Sequence, residues 1–478
     1  MMTFRVKGLP AKPLPLSHML VLTVVVTLLS ACSVTPAYQK PLVTLPQQWS
    51  PVAANVTHQV QAGRAWWSHF GNSELDDLVS QALARNHDLK AAMQRVAQAR
   101  AQVRVAGAGL RPSLSGSVSA TRSHNRGASG DGKTSYEGLL SASYELDLWG
   151  ANRASLTAAE ASAEKSVYDR AALALVVEAE VASDYFQVLA LKDRIRVARR
   201  NLAAAEDLLK LVRAEYAQGA TSALEVAQQE TTVYNDQAKI PQLTAQKVNL
   251  EHAIAVLIGV PPQAFSVKSE GLDAVSLPAI GAGQPSTLLE RRPDIRSAEA
   301  ALRGANADVG IARAAFLPAL DLSASAGLAG LITGGASTVA SLVAQMTAPL
   351  YKGGELRGQL AVSKAKLAEL VENYRQAVLA ALQDVEDAQS SIYYGHRQVA
   401  LLKRAAVSAQ RAYHLARVRF KAGSVDFLSV LSAEQAQLSA DDALLQAQAS
   451  QFVNAAGLFK ALGGGWDLRE GTAGKGNS

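Results

Sequence analysis

Residues 140–148 read LSASYELDL. Leu140, Ala142, Tyr144, Leu146 and Leu148 alternate with Ser141, Ser143, Glu145 and Asp147. An alternation of period two puts one residue type on each face of a β-strand. Three other short segments repeat the pattern. Leu114, Gly116, Val118 and Ala120 alternate with Ser115, Ser117, Ser119 and Thr121. Leu320, Leu322, Ala324 and Ala326 alternate with Asp321, Ser323 and Ser325. Leu342, Ala344, Met346, Ala348 and Leu350 alternate with Val343, Gln345, Thr347 and Pro349. Segments of about ten residues with one apolar face are what a transmembrane barrel uses, with lipid outside and water inside. Tyr144, Trp149 and Tyr351 are candidates for an interfacial aromatic girdle. A half-buried soluble sandwich shows the same alternation. In lipid, four strands leave open edges, so a barrel needs more than one copy: a dimer gives eight strands and a trimer twelve.

The strands sit inside a duplicated helical unit. NHDLKAA at 86 is echoed by RPDIRSA at 292, and GLRPSLSGSVSA at 109 by AFLPALDLSASA at 315, both at an offset of 206. LVRAEYAQGATSALEVAQQE at 211 is echoed by LARVRFKAGSVDFLSVLSAE at 415, at an offset of 204. Each half begins with a helical pattern. The first runs from Ser73, as N-cap with Asp76 three residues on, to a stop at Pro112; the second runs from Pro285 to Pro318. A run without Gly or Pro then spans Ala151 to Gln218, and its counterpart spans Gln359 to Ala422, interrupted by Gly395. At 1.5 Å per residue such a run makes a helix of about 100 Å. Gly219 and Gly423 are the expected C-caps. Final helices are expected from Ser222 to Ile258, kinked at Pro241, and from Asp426 to Leu462. Helices this long fit a coiled-coil rod or a helical barrel.

Composition agrees with close-packed helices. The 478 residues are 49% hydrophobic but 5% aromatic, and the net charge is +6. The first 31 residues hold Arg5, Lys7 and Lys12 and no acid, so the remainder carries +3. No dense basic block with interleaved aromatics marks a nucleic-acid surface. The lone cysteine, Cys32, excludes an internal disulfide or a cysteine metal cluster. It follows a basic segment, the apolar stretch MLVLTVVVTLL (19–29) and the small residues Ser30 and Ala31. That is a signal-peptide pattern, too short for a membrane span. Leu-Ser-Ala-Cys resembles the bacterial lipobox, with Cys32 as lipidation site and first mature residue. An ordinary cleavage site is the alternative. Ser33, where an aspartate would retain a lipoprotein, implies sorting to the outer membrane.

One motif points elsewhere. GASGDGKT (127–134) matches the Gly-x-x-x-x-Gly-Lys-Thr phosphate-binding loop. Such a loop needs a buried strand before it and a helix after it. Its flanks are polar on one side and alternating on the other, so it reads as the tip of the first β-hairpin, Ser123 to Tyr136, with no ATP to hold. No Gly-x-Ser-x-Gly elbow or His-Glu-x-x-His motif suggests an enzyme, and the histidines are scattered.

The sequence resembles the TolC-like outer-membrane efflux channels, specifically their NodT-type lipoprotein branch. The matching pieces include WWSHFGNSELDDLVSQAL at 66, YELDLWG at 144, LLERRPDIRSAEAALRGANADVGIARAAFLPAL at 288, RVRFKAGSVDFLSVLSAEQ at 417 and LFKALGGGW at 458. The resemblance implies a mostly α chain with a small β part. Its duplicated unit has long antiparallel helices plus β-hairpins. Three copies form an α-helical barrel continued by a β-barrel, each chain giving four strands. It implies a homotrimer in the outer membrane with helices in the periplasm, joined by a periplasmic adaptor to an inner-membrane pump. The expected duct gives drugs or other small toxic compounds an exit. It uses neither ATP, nucleic acid nor any cofactor beyond a covalent lipid on Cys32.

The expected divisions are a signal peptide (1–31), a lipid-anchored extended segment (32–72), the first repeat (73–259), an equatorial linker (260–284), the second repeat (285–466) and a disordered tail (467–478). The resemblance also places a periplasmic gate at the turns after Gly219 and Gly423. Its candidates are Glu225, Arg419, Phe420, Asp426, Ser429 and Ser432, with Arg213 and Arg417 as available partners. Phe420 stands where a Tyr is frequent, and Ser429 and Ser432 where acids are frequent. Asp426 fits a helix cap as well as a gate.

Overall fold

A computed structural model describes residues 34–50, 63–123, 133–281, 283–331, 334–464 and 466. Three of the four paired helices are equal in length between the two repeats. Helices α1 (Ser73–Arg85) and α2 (His87–Ala108) lead to strands β1 (Ser113–Ser123) and β2 (Lys133–Leu146). Then follow α3 (Ala151–Ala217) and α4 (Ala223–Leu257). The second half has α5 (Leu288–Arg291), α6 (Pro293–Ala314), β3 (Ala319–Leu331), β4 (Ala336–Thr347), α7 (Glu355–Lys421) and α8 (Phe427–Ala461). The paired helices α2 and α6 have 22 residues each, α3 and α7 have 67, and α4 and α8 have 35. Gly395 does not interrupt α7. Pro241 lies inside α4. No helix among the described residues is long and apolar enough to cross a membrane.

The chain forms two compact units. One comprises residues 1–40, 98–163 and 299–372 and holds the sheet. Its strands are antiparallel in the order β1-β2-β3-β4. The hairpins are longer than the alternation alone indicates, while Leu148, Ala348 and Leu350 fall outside the strands. The register aligns Leu114 with Ala142, Ala142 with Ala324, and Ala324 with Leu342, so even-numbered residues share a face. Serines line the other. Ser113 and Ser143 hydroxyls lie 2.7 Å apart, as do Ser325 and Ser341. Asp147, just after β2, ties down the first turn of α3: it accepts from the Asn152 and Arg153 backbone at 3.0 Å and pairs with the Arg153 guanidinium. Trp149 Nε1 donates to the Pro318 carbonyl at 2.7 Å.

The other unit comprises residues 41–97, 164–298 and 373–478. Its core concentrates the chain's few large aromatics. Trp66 stacks on Phe459 at 5.1 Å, Phe70 meets Phe186 at 4.7 Å, and Phe186 meets Phe452 at 5.3 Å. Trp66 Nε1 donates to Glu178 at 3.0 Å. Burial pushes the Glu178 carboxyl up to about 8, against that hydrogen bond. The segment after α4 is tied down by side chains. Glu74 accepts from the Lys268 and Ser269 backbone at 2.6 and 2.9 Å, and Asp193 from Leu272 at 2.9 Å.

Two sequence expectations need correction. The first helical pattern is two helices, broken at Asn86, and its N-cap is Asn72, not Ser73. Asn72 accepts from the Leu75 backbone at 2.9 Å, so Ser73 is the first helical residue. Asn86 caps α2 through Leu89 and donates its amide to the Leu257 carbonyl at 3.0 Å. The second half breaks at the equivalent Arg292, which donates to the Ala461 carbonyl at 3.1 Å. Each repeat thus ties its first helix break to the end of its last helix.

Four glycines close the long helices in one way. Gly219, Gly259, Gly423 and Gly463 all have φ near +70°. Each is followed by the backbone bond of a Schellman turn, as in Ala220 to Glu215 and Ser424 to Arg419 at 2.9 Å. Their surroundings differ. A Cβ at Gly259 would lie 2.8 Å from the Arg85 carbonyl oxygen, and one at Gly463 would lie 2.6 Å from that of Arg291, whereas Gly219 faces open space. Gly219→Ala should therefore cost about 1 kcal/mol from backbone strain alone. Gly259→Ala should cost roughly 2–4 kcal/mol because the carbonyl must also move. Unfolding midpoints in detergent check this, and equal losses would contradict it.

Candidate channel strands and helix-tip gate

Within one chain the sheet is incomplete. β1 and β4 each have one strand neighbour, and every residue of both is exposed. Leu114, Val118 and Leu342, on the even-numbered face, are 75%, 90% and 83% exposed. A row of unpaired N–H and C=O groups beside a bare apolar face is suited to pairing with another strand and to lipid. The opposite face is less uniform than the serines suggest, since Leu139, Leu331, Val339 and Val343 share it. Next to them Glu145, Asp321 and Gln345 make a polar row across three strands.

The Lys-Thr end of GASGDGKT opens β2: Lys133 pairs with Ser123 and Thr134 with Arg122. A strand follows the motif where a phosphate-binding loop requires a helix. The rest of the motif, 127–132, lies outside the described residues, as does Cys32.

The candidate gate residues occupy the turns joining α3 to α4 and α7 to α8. Glu225 closes a capping box at the start of α4. It accepts from the Ser222 backbone at 2.6 Å, from the Ser222 hydroxyl at 2.8 Å and from Thr221 Oγ1. The Thr221 and Ser222 hydrogen bonds hold its carboxyl below the usual range. Asp426 is the N-cap of α8, accepting from the Ser429 backbone at 2.9 Å and from the Ser429 hydroxyl, which lowers its carboxyl likewise. Ser429 is thus bound to Asp426, while Ser432 is exposed on the next turn. Arg419 is exposed, and its carbonyl accepts from Ser424. Phe420 meets Phe427 edge-on at 5.8 Å and packs on a core of Leu208, Val212, Tyr413, Phe427, Val430 and Leu431. Arg213 pairs with Glu230 at 2.7 Å, and Arg417 lies 5.6 Å from the Tyr413 ring centroid. The tips are therefore joined by packing, and both of their candidate carboxylates are engaged as helix caps.

Sequence reasoning missed Gln229, Asp236 and Glu434, which are buried just behind the tips. The repeat could have flagged two of them. At the 204 offset Gln229 aligns with Ala433 and Asp236 with Ala440, so a polar residue stands where its counterpart is Ala.

A model of the outer membrane efflux protein family matches residues 78–260 and 284–464. The chain is 40% identical over 467 residues to the pyoverdine export outer membrane protein OpmQ of Pseudomonas aeruginosa, covering 94% of this chain and 97% of that one. It is 33% identical to the probable efflux pump outer membrane protein TtgC of Pseudomonas putida, covering 95% and 97%. The solved outer-membrane channel OprN superposes with a TM-score of 0.85 at 29% identity, covering 91% of this chain and all of that one. The two matched blocks bracket the duplicated helices and strands described above. The chain belongs to the outer membrane efflux protein family, as an outer-membrane channel of tripartite efflux pumps with its strands in the membrane and its helices in the periplasm.

Proposed function

We propose that three copies join β1 to β4 edge by edge into a twelve-stranded barrel, and that the helices of the trimer form the periplasmic duct. The observation that carries this reading is the four-stranded sheet with two unpaired edges and one apolar face. Closure removes those edges, which lipid does not tolerate. A periplasmic adaptor connects the duct to an inner-membrane pump. The pump supplies the energy, and the duct does no chemistry. Drugs or other small toxic compounds are the cargo class. The 40% identity to a pyoverdine export protein adds pyoverdine to the compounds worth testing.

Cys32 carries the lipid that anchors the segment before residue 73. Each buried CH2 of such a lipid contributes about 0.8 kcal/mol, so several chains hold firmly. The division into signal peptide, anchored segment, two repeats with a linker, and tail belongs to the same reading. Complementation of a deletion strain tests it. Loss of the gene should sensitise cells to part of a drug panel, and the intact gene should restore growth. Cys32→Ser should abolish incorporation of labelled palmitate. Unchanged susceptibility across the panel would count against an efflux role, and persistent labelling against Cys32 as the anchor.

The tips of α3–α4 and α7–α8 form the periplasmic gate, with Glu225, Arg419, Phe420, Asp426, Ser429 and Ser432 around its mouth. Serines at 429 and 432 leave that mouth less acidic than an aspartate ring would. Divalent cations should therefore block single channels weakly. Strong block that survives Glu225→Gln would contradict this gate.

A further inference from the structure

The duplication supplies an internal control for the layer behind the tips. At the 204 offset, Arg213 and Glu230 of the first repeat correspond to Arg417 and Glu434 of the second. In the first repeat they form a partly exposed ion pair at 2.7 Å. In the second, Arg417 lies over Tyr413, and Glu434 is 4% exposed. Tyr413 occupies the position of Leu209, and Gln437 that of Val233. Leu209 and Val233 belong to an apolar cluster with Ala205. Two positions that are apolar in the first repeat are polar in the second, and with Gln229 and Asp236 of α4 they make a polar layer.

That polar layer has too many acceptors. Gln229 Oε1, Asp236 Oδ2, Glu434 Oε2 and Gln437 Oε1 are buried without a hydrogen-bond partner. The donors nearby are shared or distant. Gln229 Nε2 donates to the Ala205 carbonyl at 3.1 Å, and Tyr413 reaches Glu434 Oε1 at 3.4 Å. Lys239 lies 3.8 Å from Asp236 Oδ1. The charged and titratable groups around Glu434 are Asp236 and Lys239 of α4 and Tyr413 and Arg417 of α7. Farther along, Asp441 of α8 faces Arg200 of α3. A proton on Glu434 answers two costs together. It turns an orphaned acceptor into a donor, and it removes a buried charge from beside Asp236.

We propose that Glu434 is a proton-held latch behind the gate: protonated, it keeps α8 packed on α4 and α7, and ionised, it is repelled by Asp236 and loosens the tips. The inference rests on the reading of these tips as the gate. Burial first, then the Asp236 charge, pushes the Glu434 carboxyl up to about 7, against hydrogen bonds from Tyr413 and Gln229 and the Arg417 charge. Its ordinary value is 4.5. The stabilisation is therefore complete below that value and is lost as pH rises through about 7. Burial raises Asp236 too, with Lys239 opposing.

Tryptic cleavage of the full-length protein in detergent, at the exposed Arg419 and Lys421, reads tip loosening. Comparing wild type with Glu434→Gln at each pH cancels the protease's own pH dependence. The wild-type rate relative to that variant should rise roughly tenfold from about pH 6 to about pH 8.5. Asp236→Asn should move the rise about one unit lower, because a like charge is removed. Asp236→Asn against wild type decides the matter if Glu434→Gln does not fold. Glu230→Gln, the first-repeat counterpart, should leave the profile unchanged. A pH-independent ratio, or an Asp236→Asn profile that stays in place or moves higher, would overturn the latch. Bilayer conductance separates the two readings: a protein with this cleavage profile but no conductance refutes the gate and leaves the proton effect standing.

Discussion

The two free edges of a four-stranded sheet constrain everything else in this protein. Each unpaired backbone group exposed to hydrocarbon costs several kcal/mol, so β1 and β4 cannot remain as one chain leaves them. Their residues are exposed throughout, and the apolar even-numbered face is continuous across all four strands. A soluble sandwich would cover that face with a second sheet, and the described residues contain none. Pairing between copies would satisfy the edges, and lipid the face. The serine side, knitted by the Ser113–Ser143 and Ser325–Ser341 contacts, is then left for water.

The duplicated unit solves each local problem twice, with different chemistry. Asn86 and Arg292 both hold a helix break against the last helix of their repeat, one with an amide and the other with a guanidinium. Arg292 is also paired with Asp294 and Asp384, at 2.6 and 2.9 Å. Gly259 and Gly463 both let the chain pass close to a carbonyl that any side chain would strike. The repeats diverge behind the tips, where Leu209 and Val233 give way to Tyr413 and Gln437. Divergence at this layer, between long helices that match in length, points to a local role beyond packing.

Much of the architecture was legible because it depends on local pattern. Period-two alternation located all four strands, and the glycine-free and proline-free runs located the long helices to within a few residues. Gly219 and Gly423 marked the turns because αL geometry favours glycine. The breaks at Asn86 and Arg292 were not legible, because the partners that stabilise them lie about 170 residues away in sequence. Asn72 was missed as a cap because the adjacent Ser73 fits the same rule. At the tips the sequence identified Glu225 and Asp426 and offered Asp426 as a helix cap, but not the capping box of Glu225 nor the buried group of Gln229, Asp236 and Glu434. Burial of those side chains is set by four helices together, which no single periodicity records. The phosphate-loop match failed for the opposite reason: eight residues satisfied a pattern whose meaning depends on its flanks, and a strand follows it.

The central claim is that β1 of one copy pairs with β4 of another. Single cysteines placed on the two edges, at Ser117 and Ser341, in a chain whose Cys32 is retained for lipidation, test it in outer-membrane fractions. Scanning the β4 position over neighbouring residues covers the unknown register between copies. The account predicts oxidative crosslinking that yields a ladder ending at three chains, and no crosslinking when either edge cysteine is alone. Crosslinks confined within one chain, or a ladder ending at two, would contradict it.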